Sequence, residues 1–479
     1  MNMATLTRSA SYAALLALAA AASAQDSRPI AFTNARIFTA AGPTIDAGTL
    51  VVRNGKIEAV GKDAVVPAGA RVVDCAGKTI MPGLVSGLSR AGLDAPAPRR
   101  GNDGGASQRG RRGMPMPMPG SGGGGAADKA ATKVIDGIYA KQTVFGELLR
   151  KGVTTLSLAP RGQAFPGLGA VLRPDGKTLE DLTADAEAFL IVGITRDAQT
   201  KKLLKDNFAA AAKVLEARKK PPEPKPEEKK PEEQKPPEGQ KPEAPKQEGP
   251  QPTPQPTPTP NPNPQPTPQP APQQQPQQPP QQAPQRRPEP PKNPNHEVLA
   301  DLLDGKRRAI VEIGSATEML HWQHTFEKVP EFPHVIAVGS YNAQEGSIDE
   351  VLELVKAQKA AVLLPPTLSS LPRSRVLTHP AKNLHDAGIE IGFLLGNDPG
   401  TVEGTFFRLM ELVRTGLPAD VALRGVTVVP AKALGVDKRT GSLEAGKDAD
   451  LLIFDGDPLE PAARLSAVWL RGQEVPQTP

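Results

Sequence analysis

Cysteine, aromatic residues and long apolar runs are scarce in this chain, and each shortage excludes something. Cys75 is the only cysteine in 479 residues, so no internal disulfide can form. It sits in RVVDCAG, a strand-like stretch that suits a buried small hydrophobe better than an activated thiolate. Aromatics make up 4% of the chain, so a core must be built mainly from Ala, Val, Leu and Ile. The net charge of +5 is not gathered on one helical face, which removes the electrostatic case for a nucleic-acid partner. The longest apolar run, Ala13 to Ala22, falls well short of the ~20 residues a membrane span needs, so no transmembrane segment is expected in the mature chain.

That short run reads instead as a secretory signal. Arg8 supplies a positive start, and Ala22-Ser23-Ala24 gives the small-x-small pattern of a cleavage site. Residues 1–24 are therefore expected to be removed, leaving Gln25 as the mature N-terminus in the periplasm or outside the cell.

Proline and glycine are abundant, at 54 and 45 residues, and unevenly spread. Residues 221–294 hold 29 of the prolines, first in a Lys/Glu/Pro tract and then in Gln/Pro/Thr/Asn repeats. Proline fixes φ and removes a donor, so an insertion at 219–295 is expected to be solvated rather than to join a core. A second stretch, 97–127, is rich in Gly, Arg and Met-Pro and is expected to be a disordered loop.

The remaining chain has a regular plan. TLVVRNGKIEAVG places Asn54-Gly55 between two apolar runs, a strong hairpin signal, and the C-terminal LSAVWLRGQEV places Arg471-Gly472 as another turn. The strand-rich ends, 25–80 and 436–479, are expected to assemble one small composite β-sandwich domain. Between them, over 81–435, apolar strands at 84–89, 153–160, 169–174, 189–195, 309–315, 335–340, 360–366 and 389–398 alternate with amphipathic helices. This pattern predicts an α/β fold, a (β/α)8 barrel; outside the insertions it has about the ~250 residues usual for one.

Two stretches carry a family resemblance. MPGLVSGLSR (81–90) resembles the first-strand motif of the amidohydrolase superfamily, Pro-Gly-Leu-Ile-Asp-x-His-x-His. GVTVVPAKALGVDKRTGSLEAGKDADLLIFDGDPLEP (425–461) resembles that family's C-terminal segment, in which Gly-Ser-Leu/Ile is followed by Gly-Lys-x-Ala-Asp-Leu. KGVTT (151–155) and GND (396–398) match further landmarks, and the likeness is nearest to the imidazolonepropionase-like branch. The resemblance implies hydrolysis of carbon–nitrogen bonds other than peptide bonds by a zinc or other divalent ion. That ion is held by two histidines on the first strand and two more from strands five and six, with an aspartate after strand eight as the base.

The residues at those positions differ. Ser86 stands for the aspartate of the first motif, Leu88 and Arg90 for its histidines, and Ile313 and Val338 for those of strands five and six. Leu88 offers no donor atom, and Arg90 repels a cation. Only Asp398 remains, as a catalytic residue or as the cap of the helix that begins at Pro399. Glu312 is expected to project toward the barrel mouth. None of His296, His321, His324, His334, His379 and His385 has the spacing and position of a replacement set. No metal cofactor is expected. The sequence thus points to an exported amidohydrolase-like protein that binds or scaffolds, partnered by an active amidohydrolase paralogue or a cell-envelope component. The alternative is a hydrolase of amide or cyclic amide bonds with a divergent site at Asp398.

Overall fold

The computed structural model of the chain describes residues 28–93, 126–219, 292–339, 347–371 and 373–477. The expected signal segment and nearly all of the two inserted stretches lie outside these residues.

The chain opens with β1 (Ile30–Ile37), β2 (Ile45–Arg53) and β3 (Lys56–Gly61), an antiparallel meander. The β2–β3 turn is the expected one, with Asn54 at φ 51° and Gly55 at φ 77°. β4 (Arg71–Asp74) and β5 (Thr79–Pro82) then pair in parallel with successive halves of β1.

The barrel begins one residue later with β6 (Leu84–Ser86). β7 (Ala126–Asp128), β8 (Val153–Leu158), β9 (Gln163–Leu172), β10 (Thr183–Gly193), β11 (Ala309–Glu312), β12 (His334–Ala337) and β13 (Val362–Leu364) follow. A small hairpin, β14 (Ser369–Ser370) with β15 (Leu377–Thr378), precedes β16 (Ile391–Phe393). The order across the sheet is β16-β13-β12-β11-β10-β9-β8-β6. Its two edges are joined through the segment before the helix Val428–Leu434: Phe393 N–H donates to Gly425 O at 2.7 Å and Val85 N–H to Val426 O at 3.0 Å. β6, β8, β13 and β16 are buried along their whole length, because helices and sheet enclose both faces.

The barrel departs from the expected repeat at its third strand. Residues 169–172 belong to β9, which runs antiparallel to both β8 and β10. Only the short helix Leu179–Leu182 and its flanks separate β9 from β10, too little chain for the crossover that a parallel pair requires. Two insert boundaries also move. Ala126 and Ala127, expected in the Gly-rich loop, form part of β7 and pair with Gln163 and Ala164 of β9. At the proline-rich stretch, the helix Ala198–Lys219 includes Lys219, and the helix Pro294–Leu303 begins under an Asn293 cap.

The chain then returns to the first sheet with β17 (Leu451–Phe454), β18 (Leu465–Leu470) and β19 (Gln473–Glu474). β17 pairs with β5, so both ends of the chain share a sheet; β5 reaches Pro82, which moves the domain boundary to Gly83. The expected sandwich is one continuous sheet folded over its own core, and its two hairpin turns meet. A side chain on Gly55 would come within 2.9 Å of Arg471 O, and one on Gly472 within 2.8 Å of a Val52 methyl, so glycine is required twice over: for positive φ and for this contact. Inside lie Phe32, Ile37, Leu50, Ile57, Ile80, Leu451, Ile453 and Trp469. Phe32 meets Trp469 edge to face at 5.0 Å, a geometry worth about 1 kcal/mol beyond area burial. Cys75 is buried in the same core, and burial pushes its thiol pKa up. Among the described residues, no helix is long and apolar enough to cross a membrane.

Candidate functional site: the barrel mouth

The parallel strands point the same way, so the residues that follow β6, β8, β10, β11, β12 and β16 gather at one end of the barrel. Four residues after β6, Arg90 reaches across to Glu312, the last residue of β11, and its Nη2 donates to Glu312 Oε1. The two groups are 222 positions apart in sequence. Their side chains are 19% and 24% exposed, which makes this a partly sheltered ion pair rather than a surface one. Burial pushes the Glu312 carboxyl pKa up, and the positive charges of Arg90 and Arg161 oppose that shift.

The loop that carries Arg90 is fixed from the opposite strand. Asn397 Oδ1 accepts from Arg90 N–H at 2.7 Å and from Ser89 Oγ at 3.2 Å. Asn397 follows β16, so the two ends of the sheet meet at this amide as well as through Gly425 and Val426. Ser86, deeper in the barrel, is 1% exposed and its Oγ has no hydrogen-bond partner; Ser157 on β8 is fully buried in the same condition.

Asp398 is next to Asn397 but is committed to its own helix. Its Oδ1 accepts from Thr401 N–H at 3.0 Å and its Oδ2 from Thr401 Oγ1 at 2.6 Å, with Pro399 in the first turn. These bonds, the Thr401 hydroxyl first, hold its pKa below the ordinary aspartate value. Leu88 is 6% exposed, and Ile313 and Val338 are wholly buried. The backbone of the last two continues the barrel ladder, Ile313 N–H to Ala337 O at 3.0 Å and Val338 N–H to Leu363 O at 2.7 Å.

The histidines lie away from this arrangement. His334 opens β12 at the opposite end of its strand, its ring against Trp322 and Phe332 and its Nδ1 2.9 Å from Phe332 O; burial pulls its pKa down. His379 caps the helix Pro380–Asp386, and His385 lies in that helix's last turn. His296 meets Asn207 at 3.1 Å. His321 and His324 share the helix Ala316–Phe326, where burial and the charges of Lys201 and Arg196 pull the His321 pKa down. Among the described residues, no three His, Cys, Asp or Glu side chains converge as a metal site.

Comparison with known proteins bears on the whole arrangement. A model of the amidohydrolase family matches residues 345–475. The imidazolonepropionase of Sphingopyxis alaskensis is 33% identical over 133 residues, 27% of this chain and 32% of that protein. The imidazolonepropionase of Agrobacterium fabrum is 37% identical over 151 residues, 28% of this chain and 36% of that protein. The chain is similar to the amidohydrolase family over residues 345–475. It matches about a third of the length of each of these relatives. The fold match is wider: an amidohydrolase from Thermotoga maritima superposes with a TM-score of 0.63 at 20% identity, covering 93% of this chain and 99% of that one.

The divalent ion implied by the amidohydrolase resemblance does not fit the residues present. At the matched positions stand two buried hydrocarbons, a leucine and a guanidinium already paired with a carboxylate. Sequence reading named Arg90 and Glu312 separately but not their pairing, and it missed Asn397 as the amide that anchors the first-strand loop. A signal for the pair exists in retrospect: each is an isolated charge at the end of an apolar strand.

Proposed function

We propose that this protein is an exported member of the amidohydrolase superfamily that uses its barrel mouth to bind rather than to hydrolyse through a metal. The Arg90–Glu312 ion pair carries this reading, since it puts a permanent cation where the first-strand resemblance calls for a metal ligand. A zinc site needs about three or four protein donors in the right geometry, and Leu88, Ile313 and Val338 supply none. Ala22-Ser23-Ala24 after an apolar run supports export. A retained scaffold with an altered mouth suits a partner of an active amidohydrolase in the same compartment, or a receptor for cell-envelope material. Hydrolysis of an amide or cyclic amide by Asp398 is the less favoured reading, because both oxygens of that carboxylate already accept bonds from Thr401 and its lowered pKa makes it a weak base.

Elemental analysis of the purified protein, run beside an amide and lactam hydrolysis screen, tests the proposal. The expected result is less than stoichiometric metal and no chelator-sensitive turnover. One tightly held ion per chain, lost on chelation together with a hydrolytic activity, overturns it. A metal-independent activity abolished by Asp398→Ala establishes the Asp398 reading instead.

A further inference from the structure

The hairpin β14–β15, between barrel strands β13 and β16, has a tip unlike an ordinary solvent-facing turn. Surface turns are built mainly from Gly, Pro, Asn, Asp and Ser. Here Leu371, Val376 and Leu377 are 36%, 57% and 69% exposed within seven residues of chain. The tip is closed by its own hydrogen bonds. Leu371 N–H donates to Val376 O at 3.0 Å, Ser374 N–H to Leu371 O at 3.1 Å, and Val376 N–H to Ser374 Oγ at 3.1 Å. Beneath them Ser369 and Ser370 pair with Thr378 and Leu377. With the backbone held this way the three aliphatics face water, and a surface that takes them out of water gains free energy.

Charge narrows what that surface is. Arg373 and Arg375 stand exposed in the same turn, and neither forms an ion pair with another described residue. Between Glu353 and Asp386 the sequence has no acidic residue but carries Lys356, Lys359, Arg373, Arg375 and Lys382. Aliphatic side chains among guanidiniums match an anionic lipid surface, where the aliphatics enter the acyl boundary and the arginines stay at the phosphates. A protein partner fits less well, because a stable interface takes roughly 20–30 residues a side, and the tip presents six exposed ones among those described. We propose that the β14–β15 hairpin is a docking tip that inserts into the headgroup region of an anionic lipid surface. It follows β13, so it leaves the barrel at the mouth end and turns that end toward the lipid. The proposal is independent of the metal-free reading of the mouth, which either result leaves untouched.

Co-sedimentation of the chain beginning at Gln25 with vesicles of phosphatidylcholine alone, or mixed in equal parts with phosphatidylglycerol, tests it. Two arginines at an anionic surface account for about tenfold or more in affinity, so the mixed vesicles are expected to bind more tightly by that factor. Added salt weakens the preference. Arg373→Ser combined with Arg375→Ser is expected to lose about tenfold on the mixed vesicles. Leu371→Ser, Val376→Ser and Leu377→Ser together keep every positive charge, and they too are expected to lose about tenfold or more. All five side chains are exposed, so melting midpoints matching the parent's are expected for both variants. Equal binding to the two kinds of vesicle overturns the proposal. Binding left intact by the aliphatic variant does so as well, since it assigns the attraction to charge elsewhere in the chain. Absence of vesicle binding also overturns it, and self-association abolished by the aliphatic variant would then make the hairpin a contact between copies of the chain.

Discussion

The segment around Asp450 and the strand ends around Arg90 stand in opposite relations to the family pattern. At Asp450, the Gly-Lys-x-Ala-Asp-Leu sequence is kept in full, and its residues do structural work. Asp450 accepts from Thr440 Oγ1 at 2.9 Å and from Arg471 N–H at 3.0 Å, and its own carbonyl accepts from Gly83 N–H at 2.9 Å. One residue thus ties the return of the chain, the β18–β19 turn and the junction of the two domains. At the mouth, by contrast, the positions that the resemblance assigns to chemistry hold Leu88, Arg90, Ile313 and Val338. Asp450 and its partners close the fold, whereas the mouth positions hold residues other than those the resemblance implies.

The sharpest way to break this comparison is at Asp450 itself. Burial pushes its pKa from 3.8 up to about 6, with Asp448 adding to the shift and the bonds from Arg471 and Thr440 opposing it. The folded state therefore holds the proton more tightly than the unfolded chain. The stabilisation this gives is complete below about pH 4 and is lost as pH rises through about 6, a change on the order of 3 kcal/mol at 1.36 kcal/mol per unit. Asp450→Asn cannot ionise, so its stability relative to the parent should improve between pH 4 and pH 7, read from denaturant midpoints across that range. Parallel pH profiles for the two proteins would mean that Asp450 does not titrate in this window.

The Arg90–Glu312 pair should give the next largest effect. Removing one partner of a sheltered ion pair leaves an uncompensated charge, whereas replacing both with apolar groups is often neutral. Arg90→Met and Glu312→Leu are each expected to cost roughly 2 kcal/mol, and the double variant much less than their sum. Additive costs in a double-mutant cycle would show that the two charges do not depend on each other.

These two regions were not equally legible. The Asn54-Gly55 and Arg471-Gly472 turns, the sheet shared by both termini and the succession of barrel strands follow from local patterns, because turn chemistry and apolar periodicity are properties of neighbouring residues. The direction of β9 is not such a property. An apolar run reads the same in either direction, and only the short connection from Leu172 to Thr183 betrays the reversal. The pairing of Arg90 with Glu312 and the anchoring of Arg90 by Asn397 span 222 and 307 positions, so their identities were readable but their contact was not.

The smallest expected effect concerns residues 220–291, which break the barrel between β10 and β11. The ends that flank them are clamped together: Arg218 on the helix Ala198–Lys219 pairs with Glu297 and with Asp301, at 2.8 Å for the latter, both on the helix Pro294–Leu303. Arg307 extends the cluster to Glu187 on β10 at 2.6 Å. These ion pairs hold the two flanking helices together. By composition, that stretch of Pro, Gln, Lys and Glu has no apolar pattern to bury. Halving its length should therefore change only the entropy of loop closure, which grows by about 0.6 kcal/mol per doubling. The shortened protein is expected to gain that small increment in stability, while Arg218→Ala should weaken the clamp in both the full-length and shortened forms alike. A fall of several degrees in the melting midpoint on halving would show that residues 220–291 contribute to the stability of the folded protein.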